Sequence, residues 1–355
     1  MYSKRVFIYE LLEYELTMHL HVVFAALIGV AQCRNKQQPI VLHPLGIDQP
    51  PIGFGTWNLK ENPDNTTNAV AFAIEKGYRQ IDCAAAYGNE EAVGKGIHKG
   101  LEQAGLNRED IWVTSKLWND HHAPDRVEAG LNQTLKDLNL SYLDLYLMHW
   151  PVGKGPKDKK YHEDYVETWQ AMAKLLSSGR VRRIGVSNFS PAQLKELVKH
   201  SIKGDSPLPA VHQMELHPYL PQAKWIYAHK AHGIAITAYS PLGNMNPTYG
   251  DRSRREVTTQ SKAPLLLEHE TIKSIAEKRD CTPAQVVLKW GMNRGTSVIP
   301  KSKHESHIEE NLDATKCELG TDDLADIDAI GEEPIRFNNP GKGWGVHLFE
   351  GLDDA

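Results

Sequence analysis

From about residue 50 onward the chain alternates between two hydrophobic patterns. Short continuous apolar runs bounded by turn residues predict buried strands, while apolar positions recurring every three or four residues predict amphipathic helices. Strands are predicted over 52–57, 78–82, 111–116, 143–149, 181–187, 211–215, 234–239 and 297–300. Helices are predicted over 65–76, 90–100, 124–138, 165–178, 191–199, 222–232, 269–279 and 283–294, with two more segments to about residue 330. Gly77 and Gly179 stand where helices should end, and Ser190 followed by Pro191 reads as an N-cap and first helical position. A long polar loop fills 240 to about 263.

Strands that alternate with helices argue for an α/β protein with a parallel sheet. Eight such units over about 280 residues fit a single (β/α)8 TIM barrel. A doubly wound sheet would want a glycine-rich turn after its first strand. Here Gly53 and Gly55 lie inside the first predicted strand, and no G-x-G-x-x-G opens a helix. The chain divides into an N-terminal extension, 1–37, and a barrel, 38–355, that ends in a glycine-rich tail.

With 41% hydrophobic and 24% charged residues, the 355-residue chain can bury a large core. A net charge of −5 argues against a nucleic-acid partner. Cys33, Cys83, Cys281 and Cys317 show no CxxC or zinc spacing and read as reduced thiols. His121-His122 reads as a solvated pair, with no metal. The apolar run from Leu20 to Ala31 is too short for a confident membrane span. Read from Met18 it has the form of a secretory h-region, yet Glu10, Glu13 and Glu15 precede it where a signal would be basic. A cytoplasmic protein without a stable membrane partner is expected, with a secreted or tethered form as the alternative.

In a (β/α)8 barrel, chemistry sits at the C-terminal ends of the strands. Those ends carry Trp57, Asp82, Lys116, His149, Ser187 with Asn188, Gln213, Tyr239, and Pro300 with Lys301. Taken alone, a strand-end Asp–Lys pair is more often a structural ion pair than a site. Apolar strands that each close on a polar group are what a converging site requires.

The segments GFGTW, YRQIDCAAAYGNE, SKLW, LYLMHWP, GVSNFS, QMELHPYLPQ, AYSPLG and VIPKS resemble, in order and spacing, the signatures of the aldo-keto reductase family over roughly residues 40–335. The likeness is greatest to its monomeric aldose, aldehyde and glycerol reductases. It implies an NADP(H)-dependent oxidoreductase that reduces aldehydes, short aldoses or ketones, acting as a monomer on a small carbonyl or alcohol substrate. It also implies a cofactor-covering loop and a C-terminal substrate loop. The implied catalytic tetrad is Asp82, Tyr87, Lys116 and His149. Tyr87 would supply the proton, with Lys116 lowering its pKa from about 10 by about two units, or about 2.7 kcal/mol. His149 would orient the carbonyl oxygen.

The resemblance further implies that Tyr239 stacks on the nicotinamide and that Ser187, Asn188 and Gln213 bind its carboxamide. Ser240, Leu242 and Gly243 would begin the pyrophosphate loop. Lys301 and Ser302 would hold the 2′-phosphate, and Glu310 and Asn311 the adenine. His307 stands where many relatives have arginine, which leaves the preference for NADPH over NADH open. Trp57, Trp118 and Trp150, with His149, would form the substrate pocket. Asn188-Phe-Ser is a glycosylation sequon, but a glycan there would block this cleft. Two other readings stay in view: a redox-sensing regulatory subunit with little turnover, and a phosphate-handling barrel isomerase.

Overall fold

The first strand, β1 (Phe54–Gly55), lies beside the last, and this contact closes a parallel barrel. The computed structural model describes residues 47–59, 62–154, 160–162, 165–204, 206–245 and 263–349. The extension 1–37, with its apolar run, and most of the long loop after Ser240 lie outside the described residues. The strands that follow are β2 (Gln80–Asp82), β3 (Trp112–Leu117), β4 (Leu145–Met148), a hairpin of β5 (Gly153–Lys154) and β6 (Tyr161–His162), β7 (Ile184–Ser187), β8 (Val211–Glu215), β9 (Ala235–Tyr239) and β10 (Ser297–Val298). Apart from the antiparallel hairpin, all pair in parallel in the order β1-β2-β3-β4-β7-β8-β9-β10. Ile52 bridges Val298, the Gly53 N–H donates to the Val298 carbonyl (2.8 Å) and the Gly55 N–H to the Pro300 carbonyl (2.9 Å). The (β/α)8 expectation therefore holds.

The pleat determines which residues meet inside. On one parity, Trp112, Leu145, Leu147, Val211 and Ala235 form an apolar cluster within the barrel. On the other, Val113, Tyr146, Val186 and Ile236 join the larger core beneath the helices. Continuing the inward parity to each strand's end reaches Asp82, Lys116, His149, Gln213 and Tyr239. Gly185 shows how tight this interior is: a Cβ there would lie 2.3 Å from the Val211 carbonyl oxygen.

The main helices are α1 (Pro63–Lys76), α2 (Glu90–Ala104), α3 (Val127–Leu138), α4 (Tyr165–Leu175), α5 (Pro191–Lys203), α6 (Ala223–Ala231), α7 (Glu270–Arg279), α8 (Pro283–Asn293), α9 (Glu305–Leu312) and α10 (Thr321–Ala329). Asn62, Ser190 and Thr282 cap α1, α5 and α8, each followed by proline. Helices α2 and α5 run past their expected ends because Leu101 and Ser201 are still buried; both stop at glycine. The outer strands are shorter than predicted, since barrel closure pairs only a few residues of β1 and β10. The β5–β6 hairpin was not expected: its few residues carry no alternation long enough to read. Among the described residues, no helix is long and apolar enough to cross a membrane.

One sequence expectation is overturned. Cys281 and Cys317 are not free thiols but a disulfide, with Cα atoms 6.0 Å apart. Their separation of 36 residues concealed the pairing, which the packing of α7–α8 against the segment after α9 creates. Closing a loop of this length restricts the unfolded chain. Cys281→Ser is expected to lower stability by about 3–4 kcal/mol. Denaturant titration should show that loss, and a reducing agent should then lower the midpoint of the native chain but not of the variant.

Candidate active site

At the C-terminal end of the barrel, the Lys116 ammonium is fully buried and uses all three of its donors. It contacts Asp82 Oδ1 at 2.6 Å, the Cys83 carbonyl at 3.0 Å and the Tyr87 hydroxyl at 2.9 Å. Asp82 Oδ2 in turn accepts from Gln213 Nε2 at 2.7 Å. Tyr87 reaches this place because β2 runs into small residues: Ala84 is extended, and a single 3-10 turn, Ala85–Tyr87, ends at a left-handed Gly88. The Tyr87 and His149 rings meet edge to face, 5.8 Å apart. Cys83, on the opposite parity, is buried in the outer core with its thiol on the Thr114 carbonyl.

Burial works against the charge on Lys116, but Asp82 and the Tyr87 oxygen outweigh it and hold the ammonium above its ordinary range. The expectation for Tyr87 needs correction. Burial pushes the phenol up to about 12, and Lys116 offsets only part of that rise. Tyr87 is therefore a neutral phenol across the physiological range, with its proton in place. Burial, and then Lys116 and His122, hold His149 well below the usual imidazole range. His149 is a neutral ring, and its buried Nδ1 has no hydrogen-bond partner among the described residues.

Asp82, Tyr87 and His149 form the floor of a cavity of about 350 Å³, with Lys116 buried behind them. Of the expected residues, Trp57, Trp118, Trp150, Ser187, Asn188, Gln213, Tyr239, Ser240, Leu242, Gly243 and Lys301 also line it. Asn188 has a left-handed backbone (φ 63°). Its Oδ1 accepts from the Tyr239 hydroxyl (2.7 Å), and its Nδ2 donates to the His149 carbonyl (3.0 Å). Ser302, His307, Glu310 and Asn311 lie off the cavity wall. Ser302 accepts from the His304 N–H, and His307 is exposed on α9 with its ring edge-on to His304. The Glu310 carbonyl accepts from Gln285, and Asn311 is buried.

Asn338, Pro340 and Trp344 also reach the cavity, and no periodicity announced them. The Glu215 carboxylate, buried at the end of β8, accepts the N–H groups of Phe337 (2.7 Å) and Asn338 (2.9 Å) and pairs with His217 (2.9 Å). The tail thereby lays Trp344 against Trp118 and Trp150, at 6.1 and 5.1 Å between centroids. Phe349 packs on Trp150, and the Arg336 guanidinium covers Phe349. Of the two histidines after Trp118, His121 pairs with Asp120, but His122 is 1% exposed, so the pair is not solvated. Thr168 donates to the His122 carbonyl, so α4 covers this loop.

Against the outward face of β3, opposite in parity to Lys116, lies another buried acid. Glu90 accepts from Ser115 (2.6 Å) and Thr134 (3.1 Å), yet burial pushes its carboxyl from 4.5 up to about 7. A carboxyl whose folded pKa is raised stabilises the fold only while it is protonated. That contribution is complete below about pH 4.5 and is lost as pH rises through about 7. Glu90→Gln keeps a partner for each hydroxyl without the charge. It is expected to raise stability at pH 8 by up to about 3 kcal/mol and to change little at pH 5, as read by denaturation at the two pH values.

Residues 51–332 match the Aldo/keto reductase family. The chain is 46% identical to an uncharacterized oxidoreductase of Schizosaccharomyces pombe, covering 86% of this chain and 92% of that protein. It is 40% identical to an NAD(P)H-dependent D-xylose reductase of Scheffersomyces stipitis, covering 83% and 94%. The structure of the aldose reductase from Schistosoma japonicum superposes with a TM-score of 0.76 at 32% identity, covering 90% of this chain and all of that one. With a match across most of its barrel and relatives at these identities, the chain belongs to the Aldo/keto reductase family and is an oxidoreductase of carbonyl compounds.

Proposed function

We propose that this protein reduces aldehydes, short aldoses or ketones to alcohols with NADPH, using Tyr87 as the general acid. The observation that carries the reading is the buried Asp82–Lys116–Tyr87 chain beneath a cavity whose walls include His149 and four tryptophans. The donor set suits a nicotinamide. Gln213 has one amide edge on Asp82, and Ser187 and Asn188 stand beside it at the cavity wall. Tyr239, tied to Asn188, offers a ring for stacking. The similarity to an NAD(P)H-dependent reductase supports the same cofactor class.

When bound, the reduced nicotinamide supplies a hydride to the carbonyl carbon. Tyr87 gives its proton to the carbonyl oxygen and becomes a phenolate. The Lys116 ammonium, already 2.9 Å away, stabilises that charge without rearrangement. Asp82 keeps the ammonium charged and aimed. Neutral His149 orients the oxygen, and Trp57, Trp118 and Trp150 keep water from the reacting atoms.

The direct test follows NADPH oxidation with DL-glyceraldehyde. Tight NADPH binding without turnover across a broad carbonyl panel would count against the reductase and favour a redox sensor. Lys301 is the cavity's cation at the end expected to hold the 2′-phosphate, and it is partly exposed. Lys301→Ala is expected to raise the Kd for NADPH about tenfold to a hundredfold and to leave that for NADH nearly unchanged. Equal losses for both cofactors would show that Lys301 does not read the 2′-phosphate.

A further inference from the structure

Behind the proposed nicotinamide site, between the outward face of β8 and α6, two fully buried histidines form a pair that the proposed chemistry does not use. His212 Nδ1 lies 2.6 Å from His229 Nε2. His229 Nδ1 lies 2.6 Å from the Trp225 carbonyl oxygen. On the other side, the Phe189 N–H donates to His212 Nε2 at 3.1 Å. These partners determine every proton. A backbone N–H can only donate, so His212 Nε2 is bare and its proton is on Nδ1. A carbonyl can only accept, so His229 carries its proton on Nδ1 and accepts on Nε2. Both rings are neutral, and all four ring nitrogens are used.

Phe189 directly follows Asn188, whose backbone is left-handed. The Asn188 N–H donates to the Gln213 carbonyl at 3.1 Å. Two successive N–H groups past the end of β7 are thus held by two successive residues of β8, one through its main chain and one through an imidazole. The strand ladder cannot extend through the left-handed residue, and His212 supplies the acceptor that the ladder loses. The turn held in this way directs the Asn188 carboxamide to Tyr239, His149 and Ser187.

We propose that His212, oriented by His229, is a positioning residue for cofactor binding: its Nε2 lone pair fixes the 188–189 turn that aims the Asn188 carboxamide. This inference rests on the NADPH reading above. A purely structural role, with the rings only filling space between Phe189 and Trp225, makes different predictions.

The first measurement uses the native full chain labelled with 15N-histidine. Long-range proton–nitrogen spectra should show His212 and His229 as Nδ1–H tautomers, and an Nε2–H on His212 would overturn the inference. The second compares variants. Glutamine can place an oxygen near the position of Nε2, whereas leucine cannot. His212→Leu is expected to raise the Kd for NADPH roughly tenfold, the size of one lost buried hydrogen bond. His212→Gln should remain within about threefold of the native chain. In an Asn188→Ala background, His212→Leu should add little, because both act through one carboxamide. A lowered melting temperature with unchanged Kd, or full additivity with Asn188→Ala, would overturn the proposal. If His212→Leu does not fold, the glutamine variant and the tautomers decide it. Failure of the native chain to bind NADPH would instead sink the proposed function, a result the variants cannot mimic.

Discussion

Tyr87→Phe is expected to lower kcat for carbonyl reduction by about 10²–10⁴-fold while leaving the Kd for NADPH within about twofold. The change removes one oxygen. The ring that meets His149 edge to face remains, and Lys116 keeps Asp82 and the Cys83 carbonyl as partners. Folding should lose only about 1 kcal/mol, the net value of one buried hydrogen bond. A variant that binds NADPH and turns over at near-native rate would remove Tyr87 from the chemistry. The native phenol, pushed up to about 12, also bears on pH. The proton donor itself should remain protonated between pH 6 and 9, so any fall of the reduction rate in that window must come from another group.

Lys116→Met is expected to abolish most turnover and to destabilise the fold by about 3–5 kcal/mol, because it leaves Asp82 buried without its counter-charge. Methionine fills much of the same volume, so the loss is electrostatic rather than a cavity effect. Stability and chemistry can be separated. Asp82→Asn combined with Lys116→Met removes both charges and should recover most of the lost stability, because the pair then leaves no uncompensated ion. Turnover should stay lost, since nothing then stabilises the phenolate formed when Tyr87 gives up its proton. Recovery of activity in the double variant, measured beside its denaturation curve, would reduce the Asp82–Lys116 pair to a structural ion pair.

The alternation of short apolar runs with helical stripes was enough to read the barrel, because each strand must bury both faces and each helix one. The strand ends also located part of the cavity wall, while Tyr87, Trp118, Trp150, Ser240, Leu242 and Gly243 came only from the family resemblance. Period-2 alternation carries the inward parity of β2, β3, β8 and β9 onto Asp82, Lys116, Gln213 and Tyr239, and that parity is a property of the sequence. Contacts between residues far apart in the chain were not legible in this way. The Cys281–Cys317 bond depends on how α7–α8 pack against the segment after α9. The tail that brings Asn338 and Trp344 to the cavity is held by Glu215, more than a hundred residues earlier, and its glycine-rich stretch has no period to read.

Electrostatics was the least legible of all. The sequence placed a lysine near Tyr87 but could not weigh that charge against the desolvation of the phenol, so the direction of the shift came out reversed. Nor could it show that two ordinary histidines, 212 and 229, share a proton-ordered chain behind the Asn188 turn. Local periodicity determined the barrel and the strand-end residues, because backbone geometry repeats along the chain. Only the tertiary structure decided the tail, the disulfide, the histidine pair and the charge states, because each depends on which distant groups are brought together and how completely they exclude water.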